Sequence, residues 1–84
     1  MISIQYFASI REALAREHEE LELPAGVDSV QGLIDHLLSE NAHFADVFTE
    51  GNKVLVAVNQ TVVDRDHSLT AGDEVAFFPP MTGG

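Results

Sequence analysis

The residues with the best claim to chemistry in this chain are its last two, Gly83 and Gly84, and their case begins with the failure of the alternatives. His18, His36, His43 and His67 show no HxH or HxxxH spacing, and no carboxylate joins them at helical spacing to complete a ligand set. They read as ordinary surface or edge histidines. Asp64-Arg65-Asp66 opens like a calcium loop, but Leu69 stands where such a loop needs glycine and Val75 where it needs glutamate. Glu17-His18-Glu19-Glu20 offers carboxylates for acid–base work, yet no apolar flank is present to raise a pKa. The chain has no cysteine, which removes disulfides, thiolate metal sites, iron–sulfur clusters and a thiol nucleophile together. Nucleophile-elbow, Walker and Rossmann motifs are also missing from the sequence.

What remains is Phe77-Phe78-Pro79-Pro80-Met81-Thr82-Gly83-Gly84. A terminal Gly-Gly alone reads as a frayed end. Here Pro79-Pro80 stiffens the exit toward extended polyproline geometry, and two residues without Cβ can thread a channel too narrow for any other. From Pro79 to Gly84 the extended reach is roughly 20 Å at about 3.3 Å per residue, enough to enter a neighbour's active site. With no thiol in the chain, any carried group must sit on the main-chain carboxylate of Gly84. A carboxylate is a poor electrophile until its oxygen becomes a good leaving group, which adenylation by ATP would achieve. Attack by sulfur on that anhydride would leave a C-terminal thiocarboxylate; attack by an amine would leave an amide.

A folded body has to present that tail. Ile2, Ile4 and Tyr6 alternate with Ser3, Gln5 and Phe7, the period of a half-buried strand. Ser9 and Glu12 form a capping-box pattern opening a short helix with Ile10, Ala13 and Leu14 on one face. Glu20-Leu21-Glu22-Leu23 predicts a second strand, stopped by Pro24 and hairpin-like against the first. Asp28 or Ser29 caps the strongest helix, whose stripe is Val30, Leu33, Ile34, Leu37 and Leu38. Phe44, Val47 and Phe48 predict a further helical turn closed by Glu50-Gly51-Asn52. Lys53 to Val58 is the third strand, Asn59-Gln60 turns it into Thr61-Val62-Val63, and Glu74 to Phe78 is the last. Asp64 to Thr70 reads as loop, and Pro79-Pro80 cannot continue a ladder. The order gives an α+β roll: a mixed sheet of about five strands under one main helix, residues 1–78, followed by an extended tail, 79–84.

Fourteen acidic against four basic side chains give a formal charge of −10 over 84 residues. That surface repels nucleic-acid phosphates and anionic membranes, so neither is expected as a partner, and it favours a partner with a basic docking face. The longest apolar run, Val54 to Val58, is a strand's worth and far short of a membrane span. With no signal-like segment after Met1, the expected compartment is the cytoplasm.

The residues Tyr6-Phe7-Ala8, Arg11-Glu12, Val58-Asn59-Gln60, Asp66-His67, Leu69-Thr70, Gly72-Asp73-Glu74-Val75, Phe77-Phe78-Pro79-Pro80 and Gly83-Gly84 together resemble the small, sulfur-carrying subunit of molybdopterin synthase, the MoaD family, over essentially the whole chain. The diproline before Gly-Gly points to that branch rather than to thiamin-pathway carriers or ubiquitin-like modifiers, which share the terminal glycines. The resemblance implies a ubiquitin-like β-grasp whose first and last strands are central and parallel. It implies that an ATP-dependent activating enzyme adenylates Gly84, which then becomes a thiocarboxylate. It implies insertion of the tail, Pro79, Pro80, Met81, Thr82, Gly83 and Gly84, into a large catalytic subunit that gives the sulfur to a cyclic pyranopterin monophosphate. The implied assembly is a heterotetramer, a dimer of large subunits with one small subunit at each end, and the small subunit itself binds no cofactor and no metal.

Strand parity bears on the same surface independently. If Ile2, Ile4 and Tyr6 face the core, Phe7 faces outward; if Val75 and Phe77 are core, Phe78 shares that outer face on a neighbouring strand. Burying each ring against a partner would contribute about 1.5–3 kcal/mol. The family places interface contacts at Phe7, Arg11, Phe78 and Val62, the last on a strand of ambiguous parity. The competing expectation is that the two phenylalanines cover one another or lie under a loop. Three functional classes stay open at this point: a sulfur carrier of this or the thiamin pathway, a protein modifier forming isopeptide bonds, and a plain interaction domain. The tail is expected to be mobile without a partner.

Overall fold

The computed structural model describes residues 1–48 and 53–80. The expected Glu50-Gly51-Asn52 closure and the tail residues Met81, Thr82, Gly83 and Gly84 lie outside the described residues. The elements are β1 (Ile2–Tyr6), α1 (Ala8–Leu14), β2 (His18–Leu21), α2 (Val30–Glu40), α3 (His43–Val47), β3 (Leu55–Val58), β4 (Thr61–Val63) and β5 (Glu74–Phe78). One five-stranded sheet has the order β2-β1-β5-β3-β4. β1 and β5 are parallel, and the other neighbours are antiparallel. With α2 packed across it, this is the ubiquitin-like β-grasp that the resemblance implied.

The core follows from alternation. β1 buries Ile2, Ile4 and Tyr6, β5 buries Val75 and Phe77, and the stripe Val30, Leu33, Ile34 and Leu37 of α2 closes over them. Tyr6, Phe44, Phe48 and Phe77 form a ring cluster with centroids 5.3–6.2 Å apart, bridging sheet and α3. The Tyr6 hydroxyl donates to Glu19 Oε2 at 2.7 Å, and Arg16 donates to the same oxygen at 2.8 Å. Glu19 is opposite Ile4, so its carboxylate emerges on the core side of an edge strand, where the phenol and guanidinium compensate it. Burial first, and then Glu19, hold the Tyr6 phenol far above the ordinary tyrosine range.

Four local expectations need correction. Ser9 does not cap α1. Phe7 is still extended and occupies the cap position without a side-chain bond, so the helix begins at Ala8 and Ser9 falls inside its first turn. Ala13, expected on the buried face, is exposed; Ile10 and Leu14 are the buried pair. β2 runs His18–Leu21 rather than 20–23, because its register on β1 pairs Gln5 with His18 and Ile2 with Leu21. β3 begins at Leu55, two residues after Lys53.

At α2, Ser29 is the cap, and its hydroxyl accepts from the Gly32 N–H at 3.1 Å. Two further N-terminal amides, of Val30 and Gln31, donate to the carbonyls of His67 and Arg65. The polar 64–70 loop thus satisfies groups that a helix start leaves orphaned, and its Leu69 is buried in the core.

Candidate functional site

The site is built by what alternation leaves on the other side of the sheet. With Val75, Phe77, Val56 and Val58 in the core, Ala76 and Phe78 of β5 and Leu55 and Ala57 of β3 face outward. The register aligns Phe78 with Leu55 and Ala76 with Ala57. Val62 is opposite Ala57, so it belongs to the same outer face, which settles the parity the sequence left open. On the other flank Ser3 pairs with Glu20 and Glu74, and Gln5 with His18 and Ala76. The outer face therefore divides into a polar, acid-bearing half over β2 and β1 and an apolar half over β5, β3 and β4.

Phe7 extends β1 by one residue, its N–H donating to the Phe77 carbonyl at 3.1 Å. That bond sets it beside Phe78 at the end of the parallel pair from which the chain leaves the sheet. Phe7 is 44% exposed and Val62 is 65% exposed, while Phe78 is half-buried. The ring contacts among the described residues all lie in the core cluster, and none links Phe7 with Phe78. Arg11 is exposed on α1 and borders, with Phe7, His18 and Glu20, an open groove of about 380 Å³. Phe7, Arg11 and Phe78 thus gather at the tail exit, whereas Val62 stands apart on the edge strand.

Pro79, half-buried, and Pro80, exposed, follow directly on β5. They form one wall of a second open groove, about 400 Å³, against Ile10 and Ala13 of α1, Val47 of α3, and Val54. Lys53, the single lysine of the chain, and Asp46 border it. Arg11 and Lys53, two of the chain's four basic residues, thus border the grooves at the tail exit. Gly83 and Gly84, expected to carry the chemistry, and Met81 and Thr82, expected to contact the partner, lie outside the described residues.

Leu55, Ala57 and Ala76 were missed as members of this face. For Leu55 and Ala57 the signal was available in Val54-Leu55-Val56-Ala57-Val58: an unbroken apolar run means that both faces of a strand are apolar. Among the described residues no three His, Asp or Glu side chains group as metal ligands, and no helix is long and apolar enough to cross a membrane. The Asp73 carboxyl is held below its usual range by the Thr70 amide N–H first and then by the Asn59 side chain, at 2.9 and 3.1 Å. Asn59 in turn accepts from the Glu74 N–H, so this carboxylate fastens the β3–β4 turn to the start of β5 and belongs to the scaffold.

Comparison with known proteins agrees with this fold. The model of the ThiS family matches residues 4–84. The molybdopterin synthase sulfur carrier subunit of Escherichia coli (strain K12) is 44% identical over 84 residues, with all of both chains covered. The solved Pyrococcus furiosus protein assigned as molybdopterin converting factor subunit 1 has a TM-score of 0.76 at 36% identity, covering 95% of this chain and 97% of that one. A solved Helicobacter pylori complex of subunits 1 and 2 of molybdopterin-converting factor contains a chain of the same fold. Its TM-score is 0.67 at 20% identity, covering 99% of this chain and 97% of that one. Fold, strand register and full-length sequence likeness converge: the chain belongs to the ThiS family, alongside the molybdopterin synthase sulfur carrier subunits it resembles.

Proposed function

We propose that this chain is the sulfur-carrying subunit of a molybdopterin synthase and that its reactive group is the main-chain carboxylate of Gly84. The observation that carries this reading is the apolar half of the outer face, with Phe7 and Phe78 beside the diproline from which the tail departs. The Escherichia coli and Pyrococcus furiosus likenesses support it. A large catalytic subunit seated on that face receives the tail, as the two subunits of the Helicobacter pylori protein form a complex. Its surface is apolar opposite Phe7, Phe78 and Val62, and basic where it faces the acidic flank at Glu20 and Glu74.

The chemistry balances on Gly84. Its carboxylate oxygen attacks the α-phosphorus of ATP in an activating enzyme, and pyrophosphate leaves. A sulfur nucleophile then displaces AMP from the acyl carbon, giving the thiocarboxylate. In the large subunit that sulfur bonds to a side-chain carbon of a cyclic pyranopterin monophosphate as an oxygen substituent leaves the same carbon, and water then cleaves the acyl–sulfur bond of the resulting thioester, returning the carboxylate. Glycine suits both steps, because an unbranched terminus enters a narrow channel and leaves its carbonyl open to attack.

Deleting Gly84 tests the reading. The variant should keep the parent's circular dichroism and unfolding midpoint and support no sulfur transfer in a reconstituted synthase. A truncated chain that still supported synthesis would contradict it.

A further inference from the structure

Between Tyr6, the last residue of β1, and Ser9, inside α1, the chain has two residues in which to change from strand to helix. Phe7 stays extended at φ −120° and ψ 151°. Its N–H is bound to Phe77 O at 3.1 Å, and its carbonyl accepts from the N–H of Ile10 at 3.1 Å and of Arg11 at 3.4 Å. The whole reversal falls on Ala8, which takes φ +52°. Alanine pays for a left-handed backbone that glycine would adopt freely. The Ala8 side chain is exposed, so burial of its methyl does not account for the choice.

We propose that Ala8 is a positioning residue for partner docking: its confined left-handed backbone locks Phe7 in the pose that presents the ring on the outer face. Alanine here is strained but confined, whereas glycine would be relaxed but free. The strain is stored at the joint where a docking ring needs to be held before the partner arrives, since a ring ordered in advance loses less freedom on binding. The inference rests on the docking role of Phe7 given above.

The fold supplies its own control. Ala15, at the other end of α1, has φ +55° and caps the helix through its N–H to Glu12 O at 3.3 Å. It carries the same residue at a matching positive φ, two turns away from Phe7.

The test compares Ala8→Gly, Ala15→Gly and a chemically synthesised chain with D-alanine at position 8. Each is measured for thermal unfolding, for calorimetric affinity toward the large synthase subunit of the same organism, and for 15N relaxation of the Phe7 amide. Both glycine variants are expected to gain a few degrees in unfolding midpoint as strain is relieved. Only Ala8→Gly should weaken binding, by about three- to tenfold, together with a lower order parameter at Phe7. D-Alanine, at ease and still confined at positive φ, should gain stability and keep the parent affinity. Parent-like binding by Ala8→Gly would overturn the proposal, as would an equal loss in Ala15→Gly or in the D-alanine chain. Phe7→Ala separates the two layers: if it also binds like the parent, the docking role of Phe7 itself fails. If Phe7→Ala weakens binding and Ala8→Gly does not, only the positioning role fails.

Discussion

Replacing Phe7 with alanine removes the largest exposed ring at the tail exit, and the structure sets the size of the effect. An aromatic side chain buries about 150–250 Å² when fully covered. Phe7 is 44% exposed in the free chain, which leaves roughly 90 Å² for a partner to cover. At about 25 cal/mol per Å² that area contributes about 2 kcal/mol, or roughly a thirtyfold change in Kd at 1.4 kcal/mol per decade. Titration calorimetry of Phe7→Ala against the large synthase subunit, well below the unfolding midpoint, reads this directly. Val62→Asp is the companion variant. Val62 is 65% exposed, so the free fold tolerates the change, while an interface over that face would bury an unpaired carboxylate and lose about two orders of magnitude in affinity. If both variants bound within twofold of the parent, the outer face would not be the docking surface and the reasoning from strand register would fail.

Three further outcomes concern the scaffold. The β3–β4 turn holds both Asn59 and Gln60 at positive φ, +51° and +71°, a geometry that favours Asn-Gly; Gln60→Gly should raise the unfolding midpoint by a few degrees in calorimetry. The depressed Asp73 carboxyl contributes stability that is present above the unfolded carboxylate range near pH 4 and lost as pH falls through its lower folded value. The stability difference between the parent and Asp73→Ala, measured by urea unfolding, should therefore shrink on acidification below that range. The raised Tyr6 phenol works in the opposite sense. Its contribution is complete below the unfolded value near pH 10 and is lost as pH rises through the folded one. Tyr6→Phe should cost about 1 kcal/mol at neutral pH and remove that alkaline dependence.

Much of the fold was legible because periodicity and punctuation agree along the chain. The alternation of Ile2, Ile4 and Tyr6, the helical stripe from Val30 to Leu37, and the stop at Pro79 each correspond to an observed element. The misplacements share a physical origin. Ser9 and Glu12 satisfy a capping pattern locally, but the hydrogen bond from Phe7 to Phe77 O keeps β1 extended one residue longer and forces the turn onto Ala8. The Glu20–Leu23 alternation is real, yet β1 fixes the partner register two residues earlier. Neither constraint is local, so neither can be read from a window of sequence. At the candidate site, Phe7 and Phe78 could be assigned from parity within their own strands. Val62 could not, because a three-residue strand takes its parity from its neighbour, and only the pairing with Ala57 supplied it. Leu55 and Ala57 joined the patch once the apolar run 54–58 was seen to serve two faces rather than one, and the register of β3 on β5 added Ala76.

The central claim is that the chain carries sulfur on Gly84. Its most direct test is high-resolution mass spectrometry of the C-terminal peptide after incubation with the activating enzyme, ATP and a sulfur source. The predicted result is replacement of one oxygen of the Gly84 carboxylate by sulfur, dependent on ATP and absent when Gly84 is deleted. An unchanged terminal mass, or an amide linking Gly84 to a target lysine in place of the thiocarboxylate, would contradict the account.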